Sequence, residues 1–149
     1  MRQLKPSRDE GSAALEFVTA GFLLLIPLVY LVLAMAAIQG GALSVEGASR
    51  QAARVFVQAG DAGSARARAQ TAVDFALDDF GLGAAASTVT ISCRPDPAAC
   101  LTRRGFVTVT VTASVPLPLV PNVLSLKTPL SIPMRATSTE QVSRFWGAG

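Results

Sequence analysis

The most apolar stretch of the chain is a run near its start, residues 17–38, that contains no charged residue. As a helix with a rise of about 1.5 Å per residue, this run would be roughly 33 Å long, which spans a hydrocarbon core of about 30 Å. The pattern therefore predicts a transmembrane helix. Pro27 lies inside the run and predicts a kink, a defect that membrane helices tolerate.

Beyond this run, apolar positions recur at spacings of three and four, which is typical of amphipathic helices. The first such face comprises Val45, Ala48, Ala52, Val55, Phe56 and Ala59. Gly60 predicts a stop, and residues 61–64 predict a new N-cap that opens a second apolar face ending before Gly81. We expect the membrane helix to continue outward and a shorter helix to fold back beside it.

The remaining sequence alternates polar and apolar residues, with the period of a half-buried strand. Residues 88–92 and 106–112 are expected to pair, and a last strand is expected over residues 130–142, with Pro133 at an edge or a bulge. Residues 115–122 contain three prolines and predict an apolar loop that caps the core or faces a neighbouring subunit or lipid headgroups. The tail over residues 145–149 is expected to fray.

Together these patterns predict an α+β fold, in which a long N-terminal transmembrane helix and a second helix precede a small antiparallel sheet of about three strands. Small residues also form a strip along one face of the long helix, at Ala36, Gly40, Ser44, Ala48 and Ala52. Such strips let another helix approach closely. The alternatives are an alanine-rich helix with no partner on this strip, and a weak point in the helix at Gly40 and Gly41.

The distribution of charge predicts the orientation of the chain. Arg2, Lys5 and Arg8 precede the apolar run, and no further Lys or Arg occurs until Arg50. Because basic flanks mark the cytoplasmic side, we expect a single-pass protein of the cell membrane with a cytoplasmic N-terminus and an extracytoplasmic C-terminal domain. The alternative is a secretory signal peptide cleaved near residues 34–37, although the apolar run is longer than the 7–15 residues of a typical h-region.

Cys93 and Cys100 flank a short connection that contains Pro95 and Pro97. A disulfide across this connection fits the oxidising side of the membrane and agrees with the orientation predicted from charge. The alternatives are two free buried thiols and one half of a metal site.

Composition excludes several classes of function. The net charge of +3 is small and scattered, which argues against nucleic-acid binding. The chain has no histidine, so zinc sites and catalytic triads that use histidine are excluded. Asp74, Asp78 and Asp79 do not complete a calcium loop. We expect no catalytic residue, cofactor, metal or small-molecule substrate.

Glu16 is the residue for which the sequence most clearly predicts a role. It lies at the start of the apolar run, where a carboxylate is costly in lipid and is therefore a candidate functional group with a cationic partner. We expect that partner to be an amine.

The residues around Glu16 resemble the processing site of the type IV pilin superfamily. Residues 11–17, GSAALEF, have a glycine, then a segment with glutamate at its fifth position, then an aromatic residue, Phe17, as in the Tad/Flp branch. Residues 48–54, ASRQAAR, resemble the stretch that follows the membrane helix in TadE-like proteins. The Val/Thr strand, the proline-rich loop and the final strand follow the order of that family.

The resemblance implies that a membrane-embedded prepilin peptidase cuts between Gly11 and Ser12. It divides the chain into a leader (residues 1–11), a transmembrane helix (12–40), an extracytoplasmic helical region (41–81) and a sheet domain (82–149). It further implies a TadE-like pseudopilin or minor pilin whose partners are other Tad/Flp pilins and the pilus assembly platform. The alternative is a signal-anchored extracytoplasmic binding protein in which Glu16 has no role.

Overall fold

The structure is a computed structural model that describes residues 10–83, 87–118 and 130–147, with side chains from residue 13 onward. In chain order its elements are α1 (Glu10–Val57), α2 (Ala62–Asp78), β1 (Ser87–Arg94), β2 (Phe106–Pro116) and β3 (Ser131–Gln141). This order confirms the predicted α+β fold of a long apolar helix, a second helix and a three-stranded sheet. The expected leader and residues 119–122 of the expected loop lie outside the described residues, apart from Glu10 and Gly11.

Helix α1 contains 48 residues and is therefore about 72 Å long. It runs without interruption through Pro27 and through Gly40 and Gly41. The adjacent glycines are not a break in the helix. They have a packing role instead, because a Cβ added at Gly41 would lie 2.3 Å from Cγ2 of Val115.

Helix α2 is closed at both ends by local hydrogen bonds. The carboxylate of Asp61 accepts hydrogen bonds from the backbone N–H groups of Gly63 and Ser64, each at 2.9 Å, as an N-cap does. At the other end, Gly81 adopts a positive φ of 67°, and the N–H of Leu82 donates to the carbonyl of Leu77 at 2.9 Å. This is a Schellman motif, for which glycine is favoured because it has no Cβ.

The sheet is an antiparallel meander in the order β1-β2-β3. The central strand alternates as predicted, with Val107, Val109 and Val111 fully buried on the face toward the helices. On the opposite face, hydroxyl groups pair across the strands, as between Thr108 and Thr139 at 2.8 Å. Pro133 lies on the edge strand β3, in agreement with the sequence.

Two expectations for the ends of the sheet domain are wrong. Val115 and Pro116 belong to β2 rather than to a loop, because the buried Val115 pairs with Ile132 and only the last position of the strand is a proline. The tail is also held rather than frayed over residues 145–147, and residues 148–149 of the expected tail lie outside the described residues. The indole N–H of Trp146 donates to the carbonyl of Ala59 at 2.9 Å, and the guanidinium of Arg103 donates to the carbonyl of Trp146 at 2.9 Å.

The outer half of α1, from Gly41 to Val57, is the middle layer of the domain. It packs against α2 on one side and against β2 and β3 on the other. The buried part of α1 is therefore wider than one amphipathic stripe, and it comprises Gly41, Ser44, Val45, Ala48, Ser49, Ala52, Ala53 and Phe56. Small side chains dominate this set because two layers approach the same helix closely.

Candidate functional site

The inner half of α1, from Ala13 to Leu33, is exposed at every position. Phe17 is 80% exposed, and Leu23 and Leu24 are 72% and 71% exposed. The mean hydropathy of its most apolar window is 2.6, and α1 is the one helix among the described residues that is long and apolar enough to cross a membrane. A monomer in water rarely exposes an apolar surface of this size, so the inner half requires a cover from outside the described chain.

Glu16 lies at the start of this uncovered surface and is itself exposed. Among the described residues, no cation or hydrogen-bond donor contacts its carboxylate. The neighbouring hydroxyl of Thr19 donates to the carbonyl of Leu15 at 2.7 Å, so its hydrogen bond is made within the helix and not to Glu16. Any partner of Glu16 must therefore come from residues that the structure does not describe or from another chain.

Gly11 and Ser12 lie in the first turn of α1, and the side chain of Ser12 falls outside the described set. Ser12 precedes Glu16 by four residues, which is about 6 Å along a helix. An amine created at Ser12 would therefore lie near the carboxylate of its own chain. Ser12 and Glu16 thus lie about one helical turn apart on α1, and Phe17, whose ring is exposed, directly follows Glu16.

The strip of small residues passes from an open surface into the core. Ala36 is exposed and Gly40 half-buried, whereas Ser44 and Ala48 are buried at 2% and 0% exposure. The hydroxyl of Ser44 donates to the carbonyl of Gly41 at 2.9 Å, so its burial leaves no unpaired group. At Ser44 and Ala48 this chain itself covers the strip, and Ala36 remains open.

At the level of Gly40 and Gly41, the ends of α2 and β2 converge on α1. A Cβ added at Gly40 would lie 3.5 Å from the ring of Phe80, and the side chain of Val115 rests on Gly41. Sequence reasoning missed this junction. The signal that could have found it is the pair of glycines in an otherwise strong helical pattern, which indicates a close approach of other atoms.

Cys93 and Cys100 form a disulfide that closes the connection between β1 and β2, with their Cα atoms 5.1 Å apart. This confirms the predicted bond and rules out both the free thiols and the half metal site at these positions. In the part of the chain that the structure describes, no three Asp, Glu, Cys or His residues are grouped as a metal site.

A cavity of about 630 Å³ forms an open groove between α1 and α2. Its polar and charged lining comprises Gln51, Gln58, Arg68, Thr71 and Asp79, with apolar residues that include Val55 and Phe75. Arg68 and Asp79 are the charged members of this lining. The groove presents no nucleophile with an adjacent base among the residues that line it.

Comparisons of the chain with models of known protein families, with curated proteins and with solved structures found no match. The pilin-like expectation therefore rests on the short motifs of the chain and on the order of elements that follows them.

Proposed function

We propose that this chain is a TadE-like pseudopilin or minor pilin, a noncatalytic membrane-inserted subunit that helps assemble Flp-type pili for adherence or secretion. The observation that supports this proposal best is the division of α1. One continuous helix has an apolar half that its own chain leaves uncovered, with a single carboxylate at its start, and a second half that carries a small disulfide-bonded domain.

Processing after Gly11 would change the chain in two ways. It would remove Arg2, Lys5 and Arg8, so the basic flank that holds the helix on the cytoplasmic side is lost. It would also create an amine at Ser12 near Glu16. Because the carboxylate has no partner among the described residues, the same amine on a neighbouring subunit can bind it and fix the axial register of the two helices.

The uncovered half of α1 serves two environments in this proposal. In the membrane, lipid covers the large side chains of the run. In a pilus, the same side chains pack against the helices of other Tad/Flp pilins, which the assembly platform brings together after a prepilin peptidase has cut the leader. The resemblance favours an accessory subunit, because the major subunits of the Flp branch consist of little more than the helix, whereas this chain adds a sheet domain.

The proposal is tested by the N-terminal residue of the mature protein. The full chain is produced in a host with its own prepilin peptidase and studied by intact mass and N-terminal peptide mapping. We expect the protein to start at Ser12, and Gly11→Leu to retain Met1. The matched control is Gly21→Leu, because a Cβ at Gly21 meets no atom within 4 Å and the site lies away from the cut.

Two other outcomes would contradict the proposal. A start at Met1 in the wild-type protein would leave a signal-anchored extracytoplasmic domain. A cut near residues 34–37 would indicate an ordinary secreted protein.

A second experiment tests the role of Glu16 separately from processing. We expect Glu16→Gln to be cut normally but to reduce pilus number about tenfold or more, because the amine of the neighbouring subunit would lose its charged partner in an apolar setting. Thr19→Val is the control, since Thr19 lies one turn away and bonds only within its own helix. Normal piliation with Glu16→Gln would exclude a register role for the carboxylate.

A further inference from the structure

We infer that the end of the domain beside Gly40 contacts lipid when α1 is inserted, through Phe80, Pro116, Leu117 and Leu130. We call these four residues the rim. The inference rests on the membrane-inserted state proposed above, and it identifies the occupant of the rim as the headgroup and upper acyl region of the outer leaflet.

The first argument is the position of the rim along α1. The ring of Phe80 packs at Gly40, which is two residues, or about 3 Å, past the end of the apolar run at Ile38. Pro116 lines the same small cavity as Gly40 and Phe80. The N–H of Leu117 donates to the carbonyl of Leu130 at 3.0 Å, which holds both ends of the intervening connection at this level. The rim therefore lies where α1 leaves the hydrocarbon.

The second argument is its chemistry. Phe80 is 52% exposed and Leu130 is 46% exposed, although each is next to a well-packed element. The described residues 80–83, 115–118 and 130–133 carry no charge, and Asp79 directly precedes Phe80. An uncharged apolar surface that continues from a membrane-spanning segment is suited to the headgroup and acyl boundary.

The far end of the domain differs in this respect. Phe145 is also exposed, but the guanidinium of Arg144 lies 4.6 Å from the centre of its ring. The exposed ring at the far end thus has a cation beside it, whereas the described residues place no cation against the exposed ring at the rim. The charged groups nearest the rim on α2 are Asp78 and Asp79, which are exposed and limit the depth to which Phe80 can enter lipid.

The experiment uses the single tryptophan of the chain as a built-in reference. The indole of Trp146 donates to the carbonyl of Ala59, which lies just past the end of α1 and roughly 30 Å beyond Ile38 along the helix axis. The substitution Phe80→Trp in a Trp146→Phe background introduces a rim tryptophan. A third protein carries Phe75→Trp in the same background, which introduces an α2 tryptophan. Phe75 is exposed on α2 and lies about 7.5 Å farther from the rim along the axis of α2.

Each full chain is reconstituted at low density into phosphatidylcholine vesicles, with or without bromine atoms on the upper acyl chain. We expect bromine to reduce the emission of the rim tryptophan about twofold or more, because this tryptophan lies deepest in the lipid. The emission of the α2 tryptophan should fall less. The emission of Trp146 in the wild-type protein should hardly change. Should the double variant fail to fold, Phe80→Trp with Trp146 retained serves instead, and about half of the total emission is expected to respond.

Equal quenching of the rim tryptophan and of Trp146 in protein that floats with the vesicles would overturn the inference and leave membrane insertion intact. Emission of the rim tryptophan that is blue-shifted but insensitive to bromine would show that another protein surface covers the rim, which also overturns it. Protein that does not float would overturn the inference together with the proposed membrane insertion. Quenching in the expected order supports it whether or not the chain starts at Ser12.

Discussion

The more apolar half of α1 is the exposed half, and the less apolar half is the one that is buried. The inner half, residues 13–33, contains most of the large apolar side chains of the helix and is exposed throughout. The outer half, residues 41–57, buries mainly glycine, alanine and serine between α2 and the sheet. The most apolar part of the molecule is therefore not its core.

This difference shows that side-chain size and the available partners decide what the chain buries by itself. Small residues on the outer half let two layers approach one helix, and the few large side chains there, such as Phe56, fill the remaining space. Large residues on the inner half leave no room for such an approach and offer apolar area instead. The outer half is covered by its own chain, and the described residues leave the inner half uncovered.

The strongest test of this comparison exchanges one large side chain in each half for alanine. Phe56 is fully buried, so Phe56→Ala is expected to lower the free energy of unfolding of the domain by about 3–5 kcal/mol. Leu24→Ala is expected to leave it unchanged, because Leu24 is 71% exposed. The measurement is guanidinium unfolding of the full chain in nanodiscs, followed by the fluorescence of Trp146. An equal loss in both variants would mean that the halves fold as one unit.

The second prediction concerns the disulfide, which lies in the domain and not in the inner half. The bond joins residues seven apart, and closing so short a loop contributes about 2.5 kcal/mol in the chain-entropy account. We expect the Cys93→Ala, Cys100→Ala double variant to lose about this much stability, with the chain still found in the membrane fraction. Adding reductant is expected to destabilise the wild-type protein and to leave the double variant unaffected. A response of the double variant would show that the reductant acts elsewhere.

The parts of this architecture that follow from local spacing could be predicted from the sequence. The apolar run, the face that includes Val45, Ala52 and Phe56, and the alternation of β2 are each determined by neighbours along the chain. The disulfide followed from two cysteines around a turn on the expected oxidising side.

The parts that the sequence did not predict depend on contacts between distant residues. Burial of Ser49 and Ala53 requires the sheet to pack beside α2 on the same helix. The close approach of Val115 to Gly41 and the bond from Trp146 to Ala59 join residues 74 and 87 positions apart. For the candidate site, the position of Glu16 at the start of an uncovered helix was predictable, whereas the rim required the folded ends of α2 and β2.

The third prediction compares glycines along α1. An added methyl group at Gly41 would lie 2.3 Å from Cγ2 of Val115 and 3.2 Å from its Cβ, so the neighbouring strand would have to move. Strain of this kind costs about 1–3 kcal/mol, and better helix propensity recovers about 0.8–1 kcal/mol of it. We expect Gly41→Ala to lose up to about 2 kcal/mol of domain stability in the same unfolding measurement.

Gly47 and Gly21 are the matched controls, because a Cβ added to either glycine meets no atom within 4 Å. Gly47→Ala in the outer half is expected to gain up to about 1 kcal/mol from helix propensity. Gly21→Ala in the inner half is expected to have no effect on the domain. A gain in stability with Gly41→Ala would contradict the close packing of Val115 against Gly41.

The smallest effect is expected at the start of α2, the helix that covers one side of the outer half. The hydroxyl of Ser64 donates to the carboxylate of Asp61 at 2.7 Å and, with the capping N–H groups, lowers the pKa of that carboxyl below its ordinary value of 3.8. Because the pKa is lower in the folded protein, the ionised cap stabilises the fold above this value, and that stability is lost as the pH falls through the folded pKa.

We therefore expect Asp61→Asn, which keeps an N-cap acceptor, to match the wild-type protein near neutral pH more closely than Asp61→Ala does. Between about pH 5 and about pH 3, the unfolding midpoint of the wild-type protein should fall further than that of Asp61→Asn, because only the aspartate has a charge to lose. Parallel curves for the two proteins would show that the cap acts through hydrogen bonds alone. In either case the inner half of α1 should not respond, because α2, which begins at this cap, packs against the outer half.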